Sequence, residues 1–154
     1  MGLDMYLKGK KFYWQSPEAS VKIDGFRLQE IVLALGYWRK HPNLHGYIVQ
    51  AFAGGRDNCE EIELSALDLK NIISAVERDA LPKTEGFFFG ASDGTEKKAD
   101  LKILHAALEW LEGGDKMPKL KIRESVGPFQ AAELPMDELA KLKETRSVIY
   151  RASW

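Results

Sequence analysis

The chain has 154 residues, of which 45% are hydrophobic and 29% charged, and its formal net charge is −1. This composition is typical of one globular domain and excludes a mainly disordered chain, while the balanced charge excludes a strong overall attraction to nucleic acid or anionic membranes. Cys59 is the single cysteine, the N-terminus lacks the basic and apolar regions of a signal peptide, and no apolar run is long enough to span a membrane, so we expect a cytoplasmic protein.

The first part of the chain predicts a strand, its hairpin partner and a helix. Apolar and polar residues alternate over residues 3–7, which is typical of a half-buried strand. Residues 11–14 are expected to pair with it across a turn at residues 9–10. Apolar residues recur at helical spacing over residues 27–35, so we expect a helix there that ends at Gly36.

The middle of the chain predicts a helix, a strand and a second helix. The first helix is expected to begin at Pro42, since proline suits a first helical position, and to stop at residues 54–55, which are both glycine. Alternation over residues 60–64 predicts a strand. Ser65 followed by Asp68 resembles a capping box and predicts the start of the next helix.

The last part of the chain contains a short apolar block, a strong helix and a closing strand. Residues 86–90 (GFFFG) are wholly apolar between glycines, which favours a central strand buried on both faces. Leucines in helical register predict a helix over residues 96–112. We also expect a strand at residues 120–122, a short helix over residues 135–144 and a closing strand at residues 148–150.

Together these elements predict an α+β fold. We expect a single domain over residues 1–154, with a mixed or mainly antiparallel sheet covered by about four helices. Residues 87–89 and 148–150 should join the first strand in one sheet. The helices that contain Leu69 and Leu104 should cover that sheet with their apolar faces.

The stretch richest in chemically active side chains is residues 36–45, where one predicted helix ends and the next begins. Tyr37 and Trp38 are able to stack on a base or a partner side chain, and Arg39 and Lys40 are able to bind phosphate or carboxylate groups. The alternative is that the aromatic rings pack inward and the cations only solvate a helix end. The expected binding residues are Tyr37, Trp38, Arg39, Lys40, Asn43, His45 and Asp57.

Two histidines and one thiol are the other chemical candidates. His41 and His45 are spaced i,i+4, as in a two-ligand metal half-site, but Pro42 places His41 before the first helical turn and no HExxH pattern is present. Cys59 has acidic neighbours, which disfavour the reactive thiolate. The glycines form neither a P-loop nor a dinucleotide-binding pattern. We therefore expect no metal, no cofactor and no catalytic residue.

Seven short blocks along the chain form a pattern of their own. They are residues 1–7 (MGLDMYL), 36–40 (GYWRK), 44–45 (LH), 57–59 (DNC), 81–82 (LP), 86–90 (GFFFG) and 150–154 (YRASW). The pattern resembles a family of small phage and prophage proteins, which are sometimes labelled phosphoglycerate kinase. That label does not fit, because this chain is too short for a two-domain kinase. Residues 116–143 look like an insertion against the family pattern. Residues 91–98 read ASDGTEKK, whereas the family's segment at this place is rich in Tyr and Asp.

The resemblance implies a viral or mobile-element origin, and with it a location in the cytoplasm of a bacterial host. We expect a binding protein that engages a host or phage protein, such as an inhibitor of antiviral defence. One alternative is a small enzyme or nucleotide-binding domain with a pocket near residues 38–45 and 57–59; another is single-stranded nucleic-acid binding. A binding module should expose residues 36–45, whereas an enzyme should fold them into a concave pocket.

Overall fold

An antiparallel sheet with helices against one face organises the chain. The structure, a computed structural model, describes residues 2–16, 20–86, 89–113 and 136–154. Its elements in chain order are β1 (Asp4–Trp14), β2 (Lys22–Ile23), β3 (Phe26–Arg27), β4 (Glu30–Arg39), α1 (Pro42–Phe52), β5 (Ile62–Leu64), α2 (Ala66–Glu77), α3 (Lys97–Glu112), α4 (Met136–Leu139) and β6 (Lys143–Ser153). The main sheet has the order β4-β1-β6-β5, and β2 pairs with β3 separately. The predicted α+β fold class is therefore confirmed, with an antiparallel main sheet.

The first strand, β1, is one uninterrupted strand of 11 residues. It pairs with β6 along its whole length, so the strand predicted over residues 3–7 is confirmed and extends further. The hairpin turn predicted at residues 9–10 is wrong. Gly9 lies within the strand, paired with both β4 and β6, and a Cβ atom there would lie only 2.8 Å from the ring of Trp110. Glycine therefore makes room for α3 against the sheet and does not mark a turn.

The helix predicted over residues 27–35 is also wrong, because most of these residues form β4. This strand pairs with β1, and the β-branched residues Ile31 and Val32 suit a strand better than a helix. Ile31 is half-buried whereas Val32 is exposed, as expected for neighbours on opposite faces. Gly36 lies inside β4 and does not end a helix. A Cβ atom at this position would overlap the side chain of Ile103 on α3.

The other helix starts and stops agree well with the local sequence signals. Helix α1 begins at Pro42, and β5 lies within the predicted strand. At the start of α2 the Ser65 hydroxyl accepts a hydrogen bond from the N–H of Asp68 (3.1 Å), and the Asp68 carboxylate accepts one from the N–H of Ser65 (2.9 Å). This reciprocal pair is a complete capping box. Helix α3 ends at Glu112, as predicted, and Gly113 is its C-cap residue.

The central strand predicted over residues 86–90 is wrong where the structure describes it. Gly86 and Gly90 lie in no strand, and Phe89 lies in a turn, where its N–H donates to the Gly86 carbonyl at 3.1 Å. Residues 87–88 lie outside the described residues. Phe89 is half-buried and packs against the main core. It therefore contributes apolar contact to the core from a turn and not from a strand.

The C-terminal part of the chain has a shorter helix and a longer strand than predicted. The helix expected over residues 135–144 is confined to α4, which ends at Leu139. The closing strand expected at residues 148–150 is confirmed and forms part of β6. The strand predicted at residues 120–122 and most of the apparent insertion at residues 116–143 lie outside the described residues.

The main core lies between the sheet and the helices. Leu69 and Ile72 on α2 and Leu104 on α3 are almost completely buried there, as the helical spacing predicts. Tyr6 and Tyr37, on the opposite face of the sheet, are exposed. Among the helices that the structure describes, none has the length and apolar character needed to cross a membrane.

Candidate functional site

The connection from β4 to α1 places two histidines inside the molecule. Lys40 has a φ of +54°, and its N–H donates to the carbonyl of Leu3 at 2.8 Å, so the chain turns sharply away from the sheet. His41 and His45 follow on the inner side and are only 3% and 2% exposed. Each ring is hydrogen-bonded through both nitrogens. These two rings are the centre of the candidate site.

The first histidine belongs to a chain of hydrogen bonds, the Ser92 network, formed by Trp38, Asp100, His41 and Ser92. The Asp100 carboxylate accepts from Trp38 Nε1 at 2.8 Å, and its other oxygen lies 2.7 Å from His41 Nε2. His41 Nδ1 lies 2.7 Å from Ser92 Oγ, which also accepts from the N–H of Asn43 at 3.2 Å. The network therefore joins β4, α3 and the start of α1.

The protons of the Ser92 network follow from its chemistry. With Asp100 ionised and His41 neutral, the imidazole proton lies on Nε2, where the carboxylate accepts it, and Nδ1 accepts from the Ser92 hydroxyl. The result is a hydroxyl, an imidazole and a carboxylate connected in series. A cavity of about 180 Å³ lies beside them, and Leu81 and Glu96 are among its other lining residues.

The second histidine belongs to the Tyr150 network, formed by Tyr150, His45, Asp57 and Trp154. His45 Nδ1 lies 2.7 Å from the Tyr150 hydroxyl, and Nε2 lies 3.0 Å from Asp57 Oδ2. The indole of Trp154 donates to the other Asp57 oxygen at 3.1 Å. Burial, followed by the charge of Asp57, raises the pKa of Tyr150 above its ordinary value. The phenol therefore stays protonated and donates to His45, whose own proton lies on Nε2.

The Tyr150 network forms one wall of a larger cavity of about 470 Å³, which we call the acidic cavity. Of the described residues that line it, four carry a carboxylate and one carries a guanidinium. They are Asp57, Glu60, Glu61 and Glu63, with Arg56 as the cation. Lys10 lies 3.6 Å from Glu61 and offsets part of that charge. The lining still has a negative excess, which attracts cations.

Some of the predicted binding residues are buried or half-buried, and the others are exposed. Trp38 and His45 are buried, and Asp57 lines the acidic cavity. Asn43 is half-buried, and its side-chain oxygen accepts from the N–H of Thr84 at 3.0 Å. Trp38 thus packs inward, which was the alternative interpretation of this stretch. The exposed members are Tyr37, Arg39 and Lys40.

Four site residues escaped the sequence analysis: Ser92, Asp100, Tyr150 and Trp154. Asp100 could have been noticed in the sequence. It lies four residues before the buried Leu104 and therefore on the apolar side of α3. A carboxylate at such a position needs hydrogen-bonding partners. The other three carried no local signal, since their partners are remote in sequence.

The two histidines do not form a metal site together. Each ring is bound to a different carboxylate, His41 to Asp100 and His45 to Asp57. Within the described ranges, no group of three His, Cys, Asp or Glu side chains is arranged to hold a metal ion.

Comparison with known proteins does not assign either network. No protein-family model, curated protein or solved structure matches this chain. The function has to be inferred from the geometry and the charge of the two cavities.

Proposed function

We propose that the chain binds a small, positively charged ligand, such as a polyamine or a guanidinium compound, in the acidic cavity. The observation that carries this proposal is the set of carboxylates around a concave site of about 470 Å³. That volume lies in the range typical of small-molecule sites, roughly 300–1,000 Å³. Carboxylates around a cleft attract cations and repel phosphate groups. The charge therefore favours an amine over the nucleotide considered from the sequence.

The Tyr150 network supports this proposal because it fixes one wall of the acidic cavity. Asp57 has one oxygen bound to His45 and the other to Trp154, and His45 is held in turn by Tyr150. A carboxylate that is already fixed loses little conformational freedom when a ligand binds. We infer that Asp57 orients the ligand while the more exposed glutamates attract it.

Replacing Glu60 with Gln should weaken the binding of spermidine about two- to fivefold. The change removes one negative charge from the cavity and preserves the size of the side chain, and an exposed charge pair is worth up to about 1 kcal/mol. Isothermal titration calorimetry gives the dissociation constant. Glu109→Gln, on the exposed side of α3, is the matched control and should leave it unchanged. Tighter binding of AMP than of spermidine, or an equal effect of the control, would contradict the proposal.

A different observation supports a second function, the binding of a protein partner at the exposed end of β4. Tyr37 and Tyr6 are 51% and 37% exposed, and their ring centroids lie 5.5 Å apart. Arg39 is exposed on the same strand, which forms an edge of the main sheet. Aromatic residues and arginine are typical of binding hot spots. In a protein of phage or prophage origin, acting in the bacterial cytoplasm, the partner would be a host or phage protein.

We expect Arg39→Ala to change the free energy of unfolding by no more than about 0.5 kcal/mol and to weaken partner binding by about 1–3 kcal/mol. In the part of the chain that the structure describes, Arg39 forms no ion pair with Asp4 or Asp57, which bind Tyr37 and His45 instead. Thermal unfolding, together with pull-down from infected host cells and titration of the captured protein, measures both effects. Arg27→Ala, also exposed, is the control. A lower melting temperature with unchanged partner binding would show that Arg39 is structural.

A further inference from the structure

The Ser92 network has the geometry of an activated nucleophile. Ser92 Oγ and His41 Nδ1 are 2.7 Å apart, and His41 Nε2 is 2.7 Å from a carboxylate oxygen of Asp100. These are the nucleophile–base and base–orienting contacts that a serine hydrolase requires. The N–H of Asn43, in the first turn of the 11-residue helix α1, points at Oγ from 3.2 Å. This contact holds Oγ in place and leaves its proton directed at His41 Nδ1.

We propose that Ser92 is a catalytic nucleophile that hydrolyses esters of short acyl groups, with His41 as its general base and Asp100 as a positioning residue. The cavity beside Ser92, of about 180 Å³, is smaller than the roughly 300–1,000 Å³ of typical ligand sites, which suits a short acyl chain. This site is separate from the acidic cavity and does not depend on the function proposed there.

The lining of the Ser92 cavity also restricts the charge of the substrate. Glu96 lines this cavity, and its Oε2 is buried with no hydrogen-bond partner among the described residues. Asp79 lines the same cavity, but its charge is offset by Lys97, another lining residue, whose Nζ lies 3.2 Å away. The carboxylate of Glu96 therefore disfavours a substrate with its own carboxylate and is available to an N–H donor. We therefore expect neutral or cationic esters to be the substrates.

The proposed reaction balances with an ester and water alone. In acylation, Ser92 Oγ forms a bond to the carbonyl carbon while its proton moves to His41 Nδ1. The ester C–O bond then breaks, and His41 gives that proton to the departing alcohol. In deacylation, His41 takes a proton from water as its oxygen attacks the acyl carbon, and the proton returns to Ser92 Oγ as the acid leaves. Asp100 remains ionised and stabilises the imidazolium in both steps.

Labelling with a fluorophosphonate reagent and turnover of p-nitrophenyl acetate test this assignment on the full chain. We expect one reagent molecule per chain, located on Ser92 by peptide mass spectrometry. Ser92→Ala should abolish the label and lower kcat/KM about 100-fold or more. Ser153→Ala, at the exposed end of β6, is the matched control and should preserve both.

Asp100→Asn separates a catalytic role of the network from a structural one. An amide in place of the carboxylate can donate to His41 Nε2 and thereby move the imidazole proton to Nδ1, where it can no longer accept the proton of Ser92. We expect kcat to fall at least tenfold with KM unchanged, in a protein that remains folded. Full turnover by Ser92→Ala or Asp100→Asn, a label on another residue, or neither label nor turnover in the wild-type chain would overturn the proposal.

Discussion

Replacing Asp100 with Ala should lower the free energy of unfolding by about 3–5 kcal/mol. Asp100 is 1% exposed and accepts hydrogen bonds from Trp38 Nε1 and His41 Nε2. The truncation leaves two buried donors without an acceptor, and each unpaired group costs about 1–3 kcal/mol. The void left by the carboxylate adds to this cost. Urea unfolding at neutral pH, followed by tryptophan fluorescence and circular dichroism, measures the change.

Asp100→Asn is the matched control for this experiment. Its amide oxygen still accepts from Trp38 Nε1, and its amide group donates to His41 once the imidazole proton has moved to Nδ1. We therefore expect a cost of only about 1–2 kcal/mol. If Asp100→Ala were as stable as Asp100→Asn, the buried hydrogen bonds of the Ser92 network would not contribute to the fold as we infer.

Replacing Tyr150 with Phe should cost about 1–3 kcal/mol at neutral pH, because it removes the hydroxyl that donates to buried His45 Nδ1. It should also alter the stability at alkaline pH. The folded state raises the pKa of Tyr150 above the ordinary value of 10.0, so the folded chain retains a proton that the unfolded chain has lost. The resulting stabilisation is complete below pH 10 and decreases as the pH rises above it.

The alkaline decrease in stability should therefore be shallower in Tyr150→Phe than in the wild-type chain. Burial raises the pKa of Tyr13 as well, and a hydrogen bond to Asp4 raises that of Tyr37, so part of the decrease should remain. Urea unfolding at several pH values between neutral and alkaline conditions measures the slope. Tyr6→Phe, on the exposed face of the sheet, is the control. Parallel slopes in wild type and Tyr150→Phe would show that Tyr150 does not titrate differently on folding.

The elements that could be predicted from the sequence are those whose causes lie within a few residues. The capping box at Ser65 and Asp68 requires only a hydroxyl and a carboxylate three positions apart. Pro42 and Gly113 are also local signals. Pro42 suits a first helical position because it lacks an N–H, and Gly113 follows the last residue of a helical pattern. Composition and the alternation of strands and helices were sufficient for the fold class.

The elements that were mispredicted depend on partners elsewhere in the chain. The apolar spacing over residues 27–35 fits a helix, but the pairing of β4 with β1 decides its conformation. The local pattern predicts a turn at Gly9 and a helix end at Gly36. Both instead lie where α3 packs closely against the sheet, Gly9 beside Trp110 and Gly36 beside Ile103. Such a contact between distant segments cannot be predicted from a local sequence pattern.

The candidate site depends even more on remote contacts. His45 and Tyr150 are 105 positions apart, and His41 and Asp100 are 59 positions apart. A sequence pattern shows neither contact. The sequence did single out His45 and Asp57, and it predicted, as an alternative, a small enzyme or nucleotide-binding domain with its pocket near them. Asp100 was missed, although a carboxylate on the apolar face of a predicted helix requires buried partners and could have been noticed.

Gly46 helps to fix the position of helix α1, which carries the histidines of both networks. It lies on α1 immediately after His45, and a Cβ atom there would overlap the side chain of Thr84. The N–H of Thr84 in turn donates to Asn43. This tight fit sets the position of α1, and both imidazole rings are attached at the N-terminal end of that helix. A displacement of α1 would therefore move both rings together and disturb the hydrogen bonds of both networks at the same time.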